Sequence, residues 1–315
     1  MGAEHARILR EETRGAHLAA VADADAGRAG IAAGGAPVFQ DGGALIDDPK
    51  IEAVLIAAPD ALHAGLVRAC LEAGKPVLCE KPLAITSEEA LLLVEAEVAL
   101  GRRLIQVGYM RRFDPGYIGL KSAAAERIGK PVLLHNTHRN ASAPPWFVGA
   151  MPITNSFVHE IDITRWLLDA EMTSATVHAG PRGEPLMIVM HADNGVMIST
   201  EIFLNAAYGY DVEAELVGRE GVLRMTQPGR LSWKSALQHR RDLAGNWVPR
   251  FAEAYVAQAN AWVQSIATGR PVGASAWDGY AATALADQIA AGLDQPGATR
   301  LNLPERPALY RTDAP

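Results

Sequence analysis

The sequence predicts an α/β protein in two domains. Residues 1–108 read as a doubly wound parallel sheet, and residues 109–315 as an α+β domain with a largely antiparallel open sheet. Three observations carry this reading. Before residue 109, short apolar runs without alternation (51–58, 77–79, 103–109) take turns with helical segments, the grammar of parallel strands covered on both faces. After it, longer alternating runs follow one another across Gly, Pro, Asp and Asn turns, as in an antiparallel sheet. The chain has 315 residues, more than one core ordinarily serves.

Taken in order, residues 2–12 form a helix with Ala6, Ile8 and Leu9 on its apolar side, ended by Gly15. Residues 17–22 are a strand closed by Asp23, and 24–33 a helix. A strongly apolar strand, 51–58, stops at Pro59, and Asp60 caps a helix that runs to Gly74. Val77, Leu78 and Cys79 form a buried strand, followed by Glu80-Lys81-Pro82 and by Thr86-x-x-Glu89, a capping box opening a helix to about Leu100. In the second half 131–140 is a long strand and 156–168 a helix. Strands are expected at 175–179, 186–192, 196–203, 210–217 and 221–226. Helices at 252–268, ended by Gly269, and at 276–292, opened by Ser275-x-x-Asp278, close the chain.

Composition excludes several classes. The net charge is −7 and no Lys/Arg run exists, so nothing points to nucleic acid. No stretch of eighteen apolar residues suggests a membrane span, and the first residues lack a signal-peptide pattern. Cys70 and Cys79 lie in apolar contexts and read as reduced core residues, which predicts a cytoplasmic protein. No G-x-S-x-G and no Walker sequence occurs. His159 with Glu160 and Asp162 is the one group that resembles a metal site, but no H-x-x-x-H or C-x-x-C spacing supports it, so no metal is expected.

The chemistry-bearing positions cluster at strand ends. Lys81 follows a strand at the carboxyl edge of the sheet, where such folds bind ligands. Asp23 ends a strand where an acidic residue hydrogen-bonds the adenosine ribose of NAD and repels the 2′-phosphate of NADP. The glycine-rich turn that should precede the first helix is reduced to Gly2, which lies at nearly the expected spacing before Asp23. The expectation is therefore a sheet lacking its central first strand. Either the strands at 17–22 and 51–58 pair directly, or the reading frame starts upstream and restoring the segment raises melting temperature and NAD affinity. Downstream, Asn155 and His159 share a helix face at i, i+4, with Asn155 or Ser156 as cap, and strand 131–140 ends in His138-Arg139-Asn140.

In this order, Ala57-Ala58-Pro59 with His63, Glu80-Lys81-Pro82, and 108–114 (Gly-Tyr-Met-Arg-Arg-Phe-Asp) resemble the Gfo/Idh/MocA family of NAD(P)-dependent sugar and polyol dehydrogenases. Residues 155–166, 208–211 and 275–280 resemble its inositol 2-dehydrogenase branch. The resemblance implies an NAD-dependent enzyme that takes hydride from a secondary alcohol of a polyol or sugar. It implies Lys81 and His159 as catalytic residues, with Asn155 standing where the branch carries Asp. It also implies Met110, Arg111, Asn140 and Tyr210 as substrate-binding, and Gly2, Asp23, Ala58, Pro59, His63, Glu80 and Lys81 as cofactor-binding. A homo-oligomer, tetramer or dimer, is expected, packed through the open sheet. The competing expectations are a dehydrogenase of another pyranose and a non-catalytic sugar-binding relative without cofactor.

Overall fold

The computed structural model describes residues 1–225, 232–235, 237–241, 243–293 and 295–311. Two compact units emerge: Met1–Met110 with Glu253–Ala284 and Pro304–Pro315, and Arg111–Ala252 with Leu285–Leu303. The first crossing falls close to the expected break after Gly108. The return of 253–284 and of the C-terminal segment to the first unit differs from the sequence reading, which assigns everything past 109 to the second. The reason for the first return is local: its two crossings, after Ala252 and after Ala284, occur inside helices α8 (Trp247–Thr268) and α9 (Ala276–Ala291), so no turn residues mark them, while the last crossing falls at Pro304. The backbone of α8 leaves helical values at Phe251, beside its crossing point.

In the first unit β1 (Val21–Ala22) pairs in parallel with β2 (Val38–Phe39). A separate parallel sheet joins β3 (Val54–Ile56), β4 (Val77–Cys79) and β5 (Ile105–Val107), with Val54, Val77 and Ile105 in register. These strands are shorter than the apolar runs that announce them, but the ladder continues one bond past each carboxyl end. Glu80 N donates to Ile56 O at 2.8 Å, and Gly108 N to Cys79 O at 2.7 Å. Glu80 and Gly108 are thus backbone-fixed at the edge of the sheet. Among the described residues β1 and β3 do not pair with each other, so the two flanking strands have not closed up.

The helices follow their end signals. α1 (Gly2–Glu11) buries His5, Ala6 and Ile8, and α2 (Ala26–Ala33) is capped by Asp25 and stopped by Gly34 at φ +57°. α3 (Gly42–Asp47) is capped by Asp41. The helix expected from Asp60 is α4 (His63–Glu72) behind a 3₁₀ turn, Asp60–Leu62, and the Asp60 side chain makes no cap. In α5 (Ser87–Leu100) Thr86 Oγ accepts from Glu89 N, and Gly101 ends the helix in the left-handed conformation. At α9, Ser275 N and Oγ both donate to Asp278, and Asp278 N donates back to Ser275 Oγ, the reciprocal cap expected of this pair. Cys70 and Cys79 are free and buried.

The second unit is built on one seven-stranded sheet. Its strands are β6 (Pro131–Arg139), β7 (Met172–Ala179), β8 (Leu186–Ala192), β9 (Met197–Phe203), β10 (Asp211–Gly218) and β11 (Val222–Arg224), with β14 (Thr299–Arg300) on the far edge. Their spatial order is β11-β10-β6-β9-β8-β7-β14. All pairs are antiparallel except β6 with β9. One face is buried: Leu134, Asn136 and His138 of β6 alternate with the more open Leu133, His135 and Thr137. α6 (Pro115–Arg127), capped by Asp114, packs against β10, β11 and α7 (Val158–Leu168). A further antiparallel pair joins β12 (Ser232–Ser235) and β13 (Gln238–Arg241). The strand expected at 221–226 ends at Arg224, and Thr226 lies outside the described residues.

Candidate active site

In the first unit the predicted site residues lie at the carboxyl ends of β1, β3 and β4 and at the start of α1, and Ala58, His63, Glu80 and Lys81 are linked by hydrogen bonds around one turn. Glu80, 7% exposed, accepts a hydrogen bond from His5 Nε2 at 2.7 Å on one carboxylate oxygen and from the Lys81 backbone N at 3.3 Å on the other. Gly108 lies directly against it: a Cβ there would stand 3.0 Å from the Glu80 Cα and carboxyl carbon, so any side chain would press on Glu80. Lys81, half-buried, follows immediately, and the Lys81–Pro82 peptide is cis. His63, 1% exposed, sits under the same turn. Its Nδ1 lies 2.6 Å from Pro82 O and its Nε2 3.0 Å from Ala58 O. Its ring nitrogens are therefore committed to backbone carbonyls, although the sequence reading groups His63 with the cofactor contacts. Pro59 is exposed and Ala58 half-buried beside it.

The same unit suits a dinucleotide. α1 opens at Gly2 with no side-chain cap on its first turn, leaving amide dipoles suited to a pyrophosphate. A Cβ on Gly2 would meet only Ala57, at 3.9 Å. The Asp23 carboxylate stands at the end of β1, accepting from Asp25 N at 2.8 Å and from Arg28 Nη2 at 3.2 Å on one oxygen. Asp25, not Asp23, caps α2.

The second unit holds the other predicted residues. The helix carrying Asn155 and His159 starts earlier than expected, at Pro152, and runs as a π-helix over Pro152–Phe157 before α7. Neither Asn155 nor Ser156 is its cap. Such stretches are frequent at functional sites. Asn155 and His159 are both half-buried.

The carboxylates flanking His159 are paired with arginines. Glu160, 1% exposed, pairs with Arg111, and His138 Nδ1 lies 3.0 Å from the same carboxylate. Burial works against ionisation of Glu160, but the charge of Arg111, then that of His138, outweighs it and holds the carboxyl below its ordinary range. Asp162 is gripped by Arg112 through two bonds, Nε at 3.0 Å and Nη2 at 2.6 Å. Arg250 Nη1 holds Asp114 at 2.7 Å.

Two residues offered for the substrate thus lie in the core. Arg111 is 1% exposed against Glu160 and the Phe251 ring. Tyr210 is 5% exposed, its ring edge-on to His138 and Phe251, and burial raises its hydroxyl to about 12 despite nearby Arg111. Asn140 follows β6, its backbone tied to Phe203 and Ala206, and its buried Oδ1 meets no hydrogen-bond partner in the structure. Met110 is 2% exposed. Sequence reasoning missed His5, whose signal was its place among the buried residues of α1, and the Arg111–Glu160–His138 cluster.

A dinucleotide-type sheet bearing a Lys turn, joined to an open antiparallel sheet with a helical histidine, defines an oxidoreductase of the two-domain dehydrogenase class. Residues 1–109 match the profile of an oxidoreductase family with an NAD-binding Rossmann fold, and residues 121–224 match the GFO/IDH/MocA C-terminal domain. The chain is 45% identical to inositol 2-dehydrogenase 1 of Saccharopolyspora erythraea, over 99% of this chain and 96% of that protein. It is 38% identical to inositol 2-dehydrogenase of Agrobacterium fabrum, over 99% and 96%. The crystal structure of myo-inositol dehydrogenase from Lactobacillus casei, in complex with NAD(H) and myo-inositol, superposes with a TM-score of 0.93 at 30% identity, covering 99% of this chain and 96% of that one. The chain belongs to the Gfo/Idh/MocA family of NAD-dependent oxidoreductases.

Proposed function

We propose that this protein is an inositol 2-dehydrogenase. The observation that carries the reading is the Glu80-Lys81-Pro82 turn, fixed at the carboxyl edge of β3-β4-β5, in a chain 45% identical over nearly its whole length to an inositol 2-dehydrogenase. NAD, when bound, accepts the hydride of the carbinol carbon. Asp23 would hold its adenosine ribose and the first turn of α1 its pyrophosphate. His159 receives the hydroxyl proton, a task suited to imidazole because its ordinary pKa of about 6.5 lies near neutrality. Lys81 stabilises the developing alkoxide by its charge. Asn155 orients His159 without adding charge. The buried, unpartnered Oδ1 of Asn140 supports a role as hydrogen-bond acceptor for a substrate hydroxyl.

The protein also works as a homo-oligomer in the cytoplasm. What supports association is the open face of the seven-stranded sheet, where Met187 and Met197 are both 41% exposed beside the polar pairs His135–Ser199 and Arg139–Glu201.

The test is a panel of inositols and pyranoses with NAD at alkaline pH, following NADH formation. The reading requires the highest kcat/KM on an inositol. Preference for a pyranose would move the protein to another branch, and no turnover without NADH binding would make it a non-catalytic relative.

A further inference from the structure

Lys81 is bracketed by two residues that buried histidines hold. On its N-terminal side Glu80 takes a 2.7 Å bond from His5 Nε2, and its other oxygen receives the Lys81 amide. On its C-terminal side the Pro82 carbonyl takes a 2.6 Å bond from His63 Nδ1, while His63 Nε2 reaches Ala58 O at the end of β3. His5 comes from α1 and His63 from the first turn of α4, so two separate helices grip the turn. Both rings are at least nine-tenths buried, His5 at 3% and His63 at 1%. The remaining His5 nitrogen, Nδ1, is buried with no partner, and Tyr255 packs edge-on at 5.5 Å. An unsatisfied buried nitrogen costs stability, which core packing alone would not select. Both His63 partners are carbonyls that only accept, and a ring with one N–H donates to one of them at a time.

We propose that His5 and His63 are positioning residues that set the placement of Lys81 by clamping Glu80 and Pro82, so that turnover depends on both although neither meets the reacting atoms. The inference rests on the reading that Lys81 acts at the reacting hydroxyl. A misplacement of about 1 Å at a catalytic group costs about 10²-fold in rate.

His5→Leu and His63→Leu remove the bonds while filling the space. Each should lower kcat by about 10²-fold, with KM for the inositol and NADH affinity by fluorescence little changed. His5→Gln and His63→Gln, which keep a side-chain N–H donor, should recover part of kcat. Should a leucine variant not fold, His5→Ala and His63→Ala with added imidazole give the same readout, kcat rising as the ring is supplied. Wild-type kcat in the leucine variants overturns the proposal, as does a kcat loss that neither glutamine nor imidazole reverses and that only follows the melting temperature. Lys81→Ala separates the two readings. If it stays active, the role of Lys81 fails. If it is inactive while the leucine variants are fully active, only the histidine clamp fails.

Discussion

The two units each bury a carboxylate completely, and the two titrate in opposite directions. In the first, Glu97, 0% exposed, faces neutral donors: the amides of Leu104 and Ile105, and Tyr310 Oη at 2.6 Å. Burial raises its pKa, and these bonds, with a smaller contribution from the charge of Arg103, offset it only in part. In the second, Glu160, 1% exposed, faces Arg111 and His138 and is held ionised. Burial being equal, the charge of the partner decides. The contrast extends beyond these residues. Buried polar groups of the first unit mostly bind backbone and fix loops, as His63 fixes Ala58 and Pro82. Those of the second include charge pairs across elements, Arg111–Glu160, Arg112–Asp162 and Arg250–Asp114, beside the neutral Asn136–Thr164–Thr200 group. Substitution at the strand ends of the first unit should therefore show in rate, and in the ion-pair core of the second in stability.

The sharpest form of this contrast is Lys81→Ala against Arg111→Ala. Lys81→Ala should lose activity by about 10²-fold or more with its melting temperature intact, because Lys81 supports no core. Arg111→Ala leaves Glu160 buried with its main cation gone and should cost about 3–5 kcal/mol in denaturant unfolding. A stable Arg111→Ala protein with altered KM would return Arg111 to the substrate.

A pH series tests the two carboxylates directly. Glu160 has a folded pKa below its unfolded value of about 4.3, so its stabilisation is present above that value and lost as pH falls through the folded pKa. Glu97 has a raised folded pKa, so its contribution is greatest below about 4.3 and is lost as pH rises through the folded pKa. Measured by unfolding from pH about 2 to 7, the deficit of Glu160→Gln should grow as pH rises to about 4.3 and then level off, whereas that of Glu97→Gln should shrink as pH rises above about 4.3. Parallel trends would break the comparison.

Much of this was legible in the sequence, for physical reasons that vary by element. Thr86-x-x-Glu89 and Ser275-x-x-Asp278 carried their helix starts because capping is local chemistry. The continuous apolar runs carried the parallel strands, but their ends did not, since an apolar residue stays apolar beyond the last ladder bond. The π-helix at 152–157 left no mark, because its i+5 bonds need no special residue type. Arg111 entered the substrate set through the family resemblance, and its partner Glu160 lies far along the chain and is found only through the fold.

Smaller effects refine the assignment. Asn155→Asp should shift the apparent pKa of the kcat/KM profile upward, since a carboxylate near His159 favours imidazolium. An unchanged profile would mean that residue 155 does not touch the histidine. Asp23→Ala should weaken NAD more than NADP, as the loss of a ribose bond is compensated for NADP by the loss of charge repulsion. Equal weakening, read by titration with each reduced cofactor, would leave Asp23 only its bonds to Asp25 N and Arg28.

The central claim is hydride transfer from the carbinol carbon of an inositol, and isotope transfer tests it most directly. With myo-inositol deuterated at C2 and unlabelled NAD in a single turnover, mass spectrometry should find the deuterium in the NADH formed. NADH without deuterium, or no NADH although NAD is bound, would contradict the account.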